Sequence, residues 1–308
     1  MNAIINASTQ TSKQASKQHE QTRPPIHVRQ NLDFGLDQDM PRYWFGNDAF
    51  KTRVFDAMTM IFPDGEKYFI QSVRLFRDQI TDPRLKAEVA DFIKQEAQHG
   101  IAHELFNQEM IKQGMPVKEM ISFMVKRFDR NLKDNSPEFN LALTAASEHI
   151  TALMAECFYA ERKTMADAHP KARALLAWHA IEEMEHRSVA FDVMQDVAKV
   201  SYPLRAAALM MVGAMMPTFA MMRVNIMLKA DGYTALERIQ MFRQGLPWIF
   251  GKQGVLSSMK KPFLDWFRRD FHPNDHAVVE QYPLWLQVYA ETNDPIAAGE
   301  AFWAAGRK

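Results

Sequence analysis

The chain has 308 residues, 47% of them hydrophobic, and its 37 Lys and Arg residues balance 37 Asp and Glu residues. The apolar fraction suffices for a substantial core, and the zero formal charge argues against a protein that coats nucleic acid, because such binding requires a surplus of Lys and Arg. The single cysteine, Cys157, excludes an internal disulfide and a thiolate zinc site, so we expect a cytoplasmic protein whose metals are held by His and carboxylates.

The chain opens with a polar segment. Residues 1–30 are dominated by Gln, Ser, Thr and Lys, and they contain no apolar stretch long enough for the core of a signal peptide. Such a composition cannot bury enough apolar surface to offset the entropy of ordering the chain. The sequence therefore predicts a disordered tail over residues 1–30.

Turn signals divide residues 31–200 into helices. Asp82-Pro83 and Ser136-Pro137 each combine an N-cap residue with a proline at the first helical position. Between the signals, apolar residues recur at intervals of three and four, which is typical of amphipathic helices. The predicted helices lie near 50–79, 83–113, 117–131, 138–167 and 170–199. Two long hairpins joined by a short helix predict an all-α fold, a ferritin-like four-helix bundle, with additional C-terminal helices packed on it over 201–308.

The next segment is unusually apolar. Residues 206–222 are 17 consecutive uncharged residues between Arg205 and Arg223, and seven of the 21 methionines lie between 204 and 227. Seventeen residues is the lower limit for spanning a bilayer, and Pro217 would kink the helix. The favoured interpretation is a helix packed on the bundle; an interfacial segment and a membrane span are the alternatives.

Two Glu-x-x-His motifs lie on two of the predicted helices. Glu96 and His99 fall one turn apart on one helical face. Glu183 and His186 repeat this spacing on the last bundle helix, and His179 precedes Glu183 by four residues. One such motif arises often by chance, but its recurrence on a second helix indicates a shared site.

Each motif has a glutamate at a matching height on the preceding helix. Glu66 lies 30 residues before Glu96, and Glu148 lies 35 residues before Glu183. The two members of each pair lie on opposite sides of a predicted turn, so that folding the hairpin brings them together. One Glu from each of two helices and a Glu-x-x-His from the other two is the pattern of dimetal carboxylate proteins. Because converging carboxylates need compensating charge, we predict two iron ions, with manganese as the alternative metal; buried salt-bridged helices without metal are the competing interpretation.

The predicted ligands and the weaker candidates differ in how well they fit the helical spacing. The predicted metal ligands are Glu66, Glu96, His99, Glu148, His179, Glu183 and His186. Glu156 lies two turns beyond Glu148 and is the alternative ligand from that helix. His103 is either an additional ligand or a histidine that supports one. Glu182 is a further candidate, although it and Glu185, which flank the motif, are more typical of charges that face solvent.

These motifs resemble those of bacterial proteins identified as predicted metal-dependent hydrolases, whose pattern is ferritin-like. The resemblance covers residues 40–275. It rests on Phe62-Pro63-Asp64-Gly65-Glu66, Glu96-Ala97-Gln98-His99 with His103, Glu148-His149, Trp178 through His186, and Asp270-Phe271-His272-Pro273. The position of His179 relative to Glu183 is also similar to the ligand order of diiron arylamine N-oxygenases, which implies a diferrous centre that activates dioxygen.

The function predicted first is a diiron oxidoreductase or oxygenase that uses an electron donor and acts on an apolar or amphipathic small molecule. The alternatives are a hydrolase with a dimetal-activated water and an iron-binding or storage protein. Because Met is unbranched and polarizable, we expect residues 206–222 to cover an apolar channel to the metals. The aromatic residues expected to complete this lid are Phe263, Trp266, Phe267, Trp285 and Tyr289. A nucleic-acid partner is not expected, whereas membrane contact through 206–222 and a homodimer are left open.

Overall fold

The computed structural model describes residues 23–38 and 40–308. Within these residues the chain forms α-helices, short 3-10 and π-helical turns and isolated β-bridges, which confirms the all-α prediction. The α-helices are α1 (Ala49–Thr59), α2 (Phe62–Arg74), α3 (Pro83–Lys112), α4 (Val117–Asp134), α5 (Pro137–Tyr159), α6 (Pro170–His186), α7 (Val189–Asp192), α8 (Tyr202–Ala230), α9 (Ala235–Phe250), α10 (Lys260–Asp265), α11 (Tyr282–Thr292) and α12 (Pro295–Ala304).

Local sequence signals determine where the central helices begin. The Asp82 carboxylate accepts a hydrogen bond of 2.9 Å from the Arg84 N–H at the start of α3. At the start of α5, the Ser136 hydroxyl accepts a hydrogen bond of 3.2 Å from the Phe139 N–H. Each cap satisfies a backbone donor that has no partner within its helix. The predicted starts of these two helices are confirmed to within one residue.

Three predicted helices are wrong in extent. The helix predicted near 50–79 is broken between Thr59 and Phe62, because Pro63 lacks an N–H and its ring would clash with the carbonyl of residue 59. The helix predicted near 138–167 ends at Tyr159. The helix predicted near 170–199 stops at His186 and resumes as α7 and a π-helical turn over Val193–Val197.

Helices α2, α3, α5 and α6 surround a common interior. The contacts run from α2 to α3, from α3 to α6, from α6 to α5 and from α5 back to α2. Helix α12 covers the other side of α6 at close range: a Cβ on Gly299 would lie 2.7 Å from the Cα of Ala174, so only glycine fits there. Helix α6 is consequently buried over nearly its whole surface. The ferritin-like topology of the bundle stays a prediction.

Helix α8 lies on the bundle against α1 and α5. Near its start Arg205 donates a hydrogen bond of 3.0 Å to the carbonyl of Trp266, and near its end Arg223 donates one of 3.4 Å to that of Ala57. Among residues 23–38 and 40–308 it is the one helix long and apolar enough to cross a membrane, yet only 28% of its apolar window is buried. Its outer face is apolar and exposed, including Met210, so membrane contact through 206–222 stays a prediction.

The end of the predicted tail contacts the bundle. Arg29 is 8% exposed, and its guanidinium pairs with Glu182 at 3.0 Å and with Glu185 at 2.7 Å. Arg23 pairs with Glu88 and Asp192. Residues 23–30 therefore pack on the helices, whereas the rest of the predicted tail, residues 1–22, lies outside the described residues.

Candidate metal centre

All seven predicted ligands meet in the interior between α2, α3, α5 and α6. They form two groups, and within each group one ligand atom from every residue lies within 4.8 Å of the others. The first group is Glu66, His99 and His179, and the second is Glu96, Glu148, Glu183 and His186. All seven are buried; the most exposed, His179, is 6% exposed.

The second group is arranged around the His186 ring. Its Nε2 atom lies 3.1 Å from Glu96 Oε1, 3.3 Å from Glu148 Oε2 and 3.8 Å from Glu183 Oε2. Three different helices, α3, α5 and α6, thus bring carboxylates to one imidazole nitrogen. Only the pair Glu183 and His186 comes from one helix, at the spacing that the motif predicts.

The two groups adjoin. Glu183 Oε1 lies 3.0 Å from His179 Nε2, and its other oxygen accepts a hydrogen bond of 2.7 Å from the Thr151 hydroxyl. The rings of His99 and His179 stack with centroids 4.2 Å apart, and His99 Nδ1 lies 3.8 Å from Glu96 Oε1. The donors of both groups therefore form one continuous buried cluster.

Many of the oxygen and nitrogen atoms that could ligate a metal have no hydrogen-bond partner among the described residues. This holds for both carboxylate oxygens of Glu66, Glu96 and Glu148, for both ring nitrogens of His99, and for Nε2 of His186. Buried polar atoms without partners are costly and rare in folded proteins. Carboxylate oxygens and imidazole nitrogens are donors that suit iron, manganese or zinc. The residues present therefore fit a pair of divalent cations.

Burial and repulsion retain protons in the metal-free cluster. Burial raises the pKa of Glu66 well above its usual range, and the carboxylates of Glu96 and Glu183 raise it further. Burial and Glu96 act in the same direction on the pKa of Glu148. Burial lowers the pKa of His186, but the carboxylates of Glu148, Glu183 and Glu96 around its Nε2 atom outweigh it, so that pKa lies well above its ordinary value. Metal binding must displace these protons.

A chain of hydrogen bonds holds the His186 ring at its Nδ1 atom, on the side away from the carboxylates. Gln95 Nε2 donates to Glu185 Oε2 at 2.8 Å and to the His27 carbonyl at 3.1 Å, which leaves Gln95 Oε1 facing His186 Nδ1 at 2.8 Å. His186 Nδ1–H is therefore the donor in that contact, and Nε2 faces the carboxylates. Glu185 is held in turn by Arg29 and by the Tyr282 hydroxyl, which donates to it at 2.9 Å.

The expectation that Glu182 and Glu185 face solvent is wrong. They are 0% and 1% exposed, because α12 and the segment before residue 30 cover α6. Glu182 accepts a hydrogen bond of 2.8 Å from Trp178 Nε1, and its Oε2 lies 3.2 Å from His99 Nε2. Burial raises the pKa of Glu182 to about 7, although Arg29 opposes the shift. Glu182 lies in neither donor group, and its carboxylate lies beside His99 without a hydrogen bond to it.

The other two weaker candidates also lie outside both groups. His103 Nε2 lies 2.9 Å from His179 Nδ1, so His103 supports a predicted ligand. Glu156 instead pairs with Arg187 at 3.1 Å. Sequence reasoning missed Gln95, whose only signal is that it immediately precedes Glu96.

A cavity of about 130 Å³ reaches the cluster at Glu66, His179 and Glu183. Its remaining walls are mostly apolar, and α8 contributes four methionine and valine side chains and Phe219. A second cavity of about 300 Å³ adjoins it and shares Phe62 and Met216 among its lining residues. Of the five aromatic residues expected to form a lid, Phe263 lines the second cavity, whereas Trp266, Phe267, Trp285 and Tyr289 line neither of these two.

A protein family described as predicted metal-dependent hydrolase matches residues 27–277. This match confirms the resemblance found in the motifs, and it spans all seven buried donors. No curated protein and no solved structure matches the chain. The family description favours the hydrolase alternative and lends no support to the oxygenase prediction.

Proposed function

Because the chain belongs to the family of predicted metal-dependent hydrolases, we propose that it hydrolyses a small molecule at a dimetal centre held by the seven buried side chains. The observation that carries this proposal is the pair of buried donor groups, in which the carboxylate oxygens of three glutamates have no hydrogen-bond partner among residues 23–38 and 40–308. Two bound divalent cations supply Lewis acidity and lower the pKa of water toward neutrality.

The chain's own residues hold and orient the donors. Thr151 and His179 each contact one oxygen of Glu183. Burial raises the pKa of Glu183, but His179 and His186 outweigh it and hold that pKa well below the ordinary value. Gln95 and His103 fix the two imidazoles of α6 that face the carboxylates. Such supporting contacts keep ligand geometry constant through a reaction cycle.

The cavity connects this cluster with space for a substrate. Glu66, His179 and Glu183 form one polar end, and mostly apolar side chains from α2, α4, α5 and α8, together with Arg127 and Arg223, line the rest. A substrate that fills it displaces water from all sides except the cluster, which strengthens the electrostatic interactions made there. The reacting bond of the substrate would lie at the polar end.

The test is reconstitution of the metal-free protein with Mn²⁺, Fe²⁺ or Zn²⁺ in separate samples. We expect two ions per chain and turnover of an ester, amide or phosphoester panel that a chelator abolishes. Glu148→Gln removes one carboxylate from the second group and is expected to lose metal and turnover together. Glu156→Gln changes a half-buried glutamate on the same helix but outside both groups; it is the control and is expected to retain both.

Two results would contradict the hydrolase proposal. If the protein binds two ions but hydrolyses no member of the panel, the hydrolase proposal fails. If the reduced, iron-loaded protein develops visible absorption bands on exposure to dioxygen and oxidises a lipophilic compound, the oxygenase interpretation replaces it.

A further inference from the structure

Arg223 is a buried cation without a counter-charge. It is 7% exposed, and among the described residues its guanidinium makes one hydrogen bond, of 3.4 Å to the carbonyl of Ala57. No carboxylate among residues 23–38 and 40–308 offsets the effect of burial, which lowers the pKa of the guanidinium to about 10. Arg223 therefore remains charged at neutral pH in a poorly solvated position.

Other buried arginines among the described residues have more partners than Arg223. Arg53 pairs with Asp56 at 2.6 Å and with Asp231 at 2.8 Å. Arg205 pairs with no described carboxylate either, but it donates to the carbonyls of both Trp266 and Arg268. An unpaired buried charge destabilises the folded state. A buried guanidinium that the protein itself does not neutralise is therefore a candidate to bind a partner from outside the protein. A bound anion would neutralise it.

The surroundings of Arg223 indicate the chemistry of the rest of a ligand that carries such an anionic group. The residue lines both cavities, the one that reaches the metal-ligand cluster and the one of about 300 Å³ beside it. Apart from Arg223 and Lys260, the lining of the larger cavity is uncharged. A second guanidinium, that of Arg127 on α4, lines the smaller cavity, and its Nε has no hydrogen-bond partner among the described residues.

We propose that Arg223 binds the carboxylate or phosphate group of an amphipathic substrate whose apolar chain occupies the larger cavity. The planar guanidinium matches both anions through paired hydrogen bonds, whereas a neutral or cationic head group leaves it unpaired. The description of this ligand as a substrate rests on the function proposed above. The binding step does not, because it needs only the two cavities and the guanidinium groups of Arg223 and Arg127 that line them.

The test measures binding without turnover. The metal-free, full-length protein is loaded with a dansyl-labelled undecanoic acid, which is then displaced by decanoate, decyl phosphate or uncharged decan-1-ol. The wild-type protein is expected to bind at least one anion more tightly than the alcohol by about tenfold or more, the usual gain from charge-assisted hydrogen bonds. Which anion binds more tightly distinguishes a carboxylate from a phosphate ligand. Because no hydrolysis is measured, failure of the hydrolase proposal leaves this result unaffected.

Arg223→Met removes the charge but keeps a long side chain on α8. We expect it to lose the preference for the anion, to bind decan-1-ol as the wild type does, and to unfold at the same or a higher temperature. Arg205→Met, on the same helix and equally buried but bonded to carbonyls outside both cavities, is the control that lowers thermal stability and keeps the preference. Arg127→Met is expected to reduce the preference in part.

Three results overturn the proposal: no anion preference in the wild type, an undiminished preference in Arg223→Met, or an unchanged preference in Arg127→Met. The last measurement applies even when Arg223→Met does not fold, because Arg127 is only half-buried.

Discussion

We predict that Gln95 controls metal affinity although it is not itself one of the predicted ligands. Gln95→Leu removes the acceptor at 2.8 Å from His186 Nδ1 and leaves that N–H buried without a partner. Glu185 loses one donor in the same variant but keeps Arg29 and Tyr282, so the fold is expected to survive. Loss of a hydrogen bond behind a metal-bound imidazole typically costs about 10–100-fold in metal affinity, or about 1.4–2.7 kcal/mol.

The assay is competition with a chromophoric chelator at neutral pH. Gln98→Leu is the matched control: it lies on the same helix, and its side chain accepts a hydrogen bond of 2.9 Å from the Asn31 N–H, away from the donors. We expect wild-type affinity in Gln98→Leu and weakened binding in Gln95→Leu. Equal affinities in the two variants, with helical content intact, would refute the role assigned to the hydrogen-bond chain.

Further predictions concern proton release on metal binding, the packing of α12 against α6, and contact with a membrane. Because the pKa values of Glu66, Glu148 and His186 are raised, the metal-free cluster holds protons that metal displaces, so metal affinity should rise with pH and loading should release protons. Calorimetry in buffers of different ionisation enthalpy measures this release, and buffer-independent heats would contradict it. Gly299→Ala places a Cβ 2.7 Å from the Cα of Ala174 and should destabilise the protein by about 1–3 kcal/mol in urea unfolding, whereas unchanged stability would show that α12 can shift. Apart from the buried Arg205 and Arg223, residues 202–264 carry six Lys and Arg against two Asp and Glu, and beside them lie exposed apolar side chains such as Met222, Leu236 and Ile239. We therefore propose that this surface contacts anionic lipid, and expect the protein to sediment with phosphatidylglycerol vesicles at low salt but not with phosphatidylcholine vesicles. Failure to sediment with either would remove the membrane prediction.

Most of the site prediction depends on the spacing of residues along single helices and hairpins. The intervals within the two Glu-x-x-His motifs, and the turn signals that set the height of Glu66 and Glu148, involve residues on one helix or one hairpin. Those relations are local, and the structure places the residues together as predicted. Their role as metal ligands stays a prediction.

The contacts that sequence reasoning missed depend on distant segments. Glu185 is buried because Arg29, 156 positions earlier, and Tyr282, 97 positions later, cover it. A charged residue on a helix gives no local sign of such partners, so its pattern indicates a solvent-facing side chain. The break before Pro63 was readable from the proline itself, but the apolar periodicity on both sides of it favoured one continuous helix.

The reaction class was not readable from the donors. Four carboxylates and three imidazoles serve hydrolytic and oxidative dimetal centres alike, since the chemistry depends on the metal and on the substrate. The family description favours hydrolysis, and we propose Arg223 as the charged contact for a ligand that the motifs lack.

The most direct test of a dimetal centre is anomalous diffraction from crystals of the manganese-loaded protein. We predict two peaks about 3.5–4 Å apart, one bounded by Glu66, His99 and His179 and the other by the three carboxylates around His186. A single peak, or peaks at other side chains, would contradict the account.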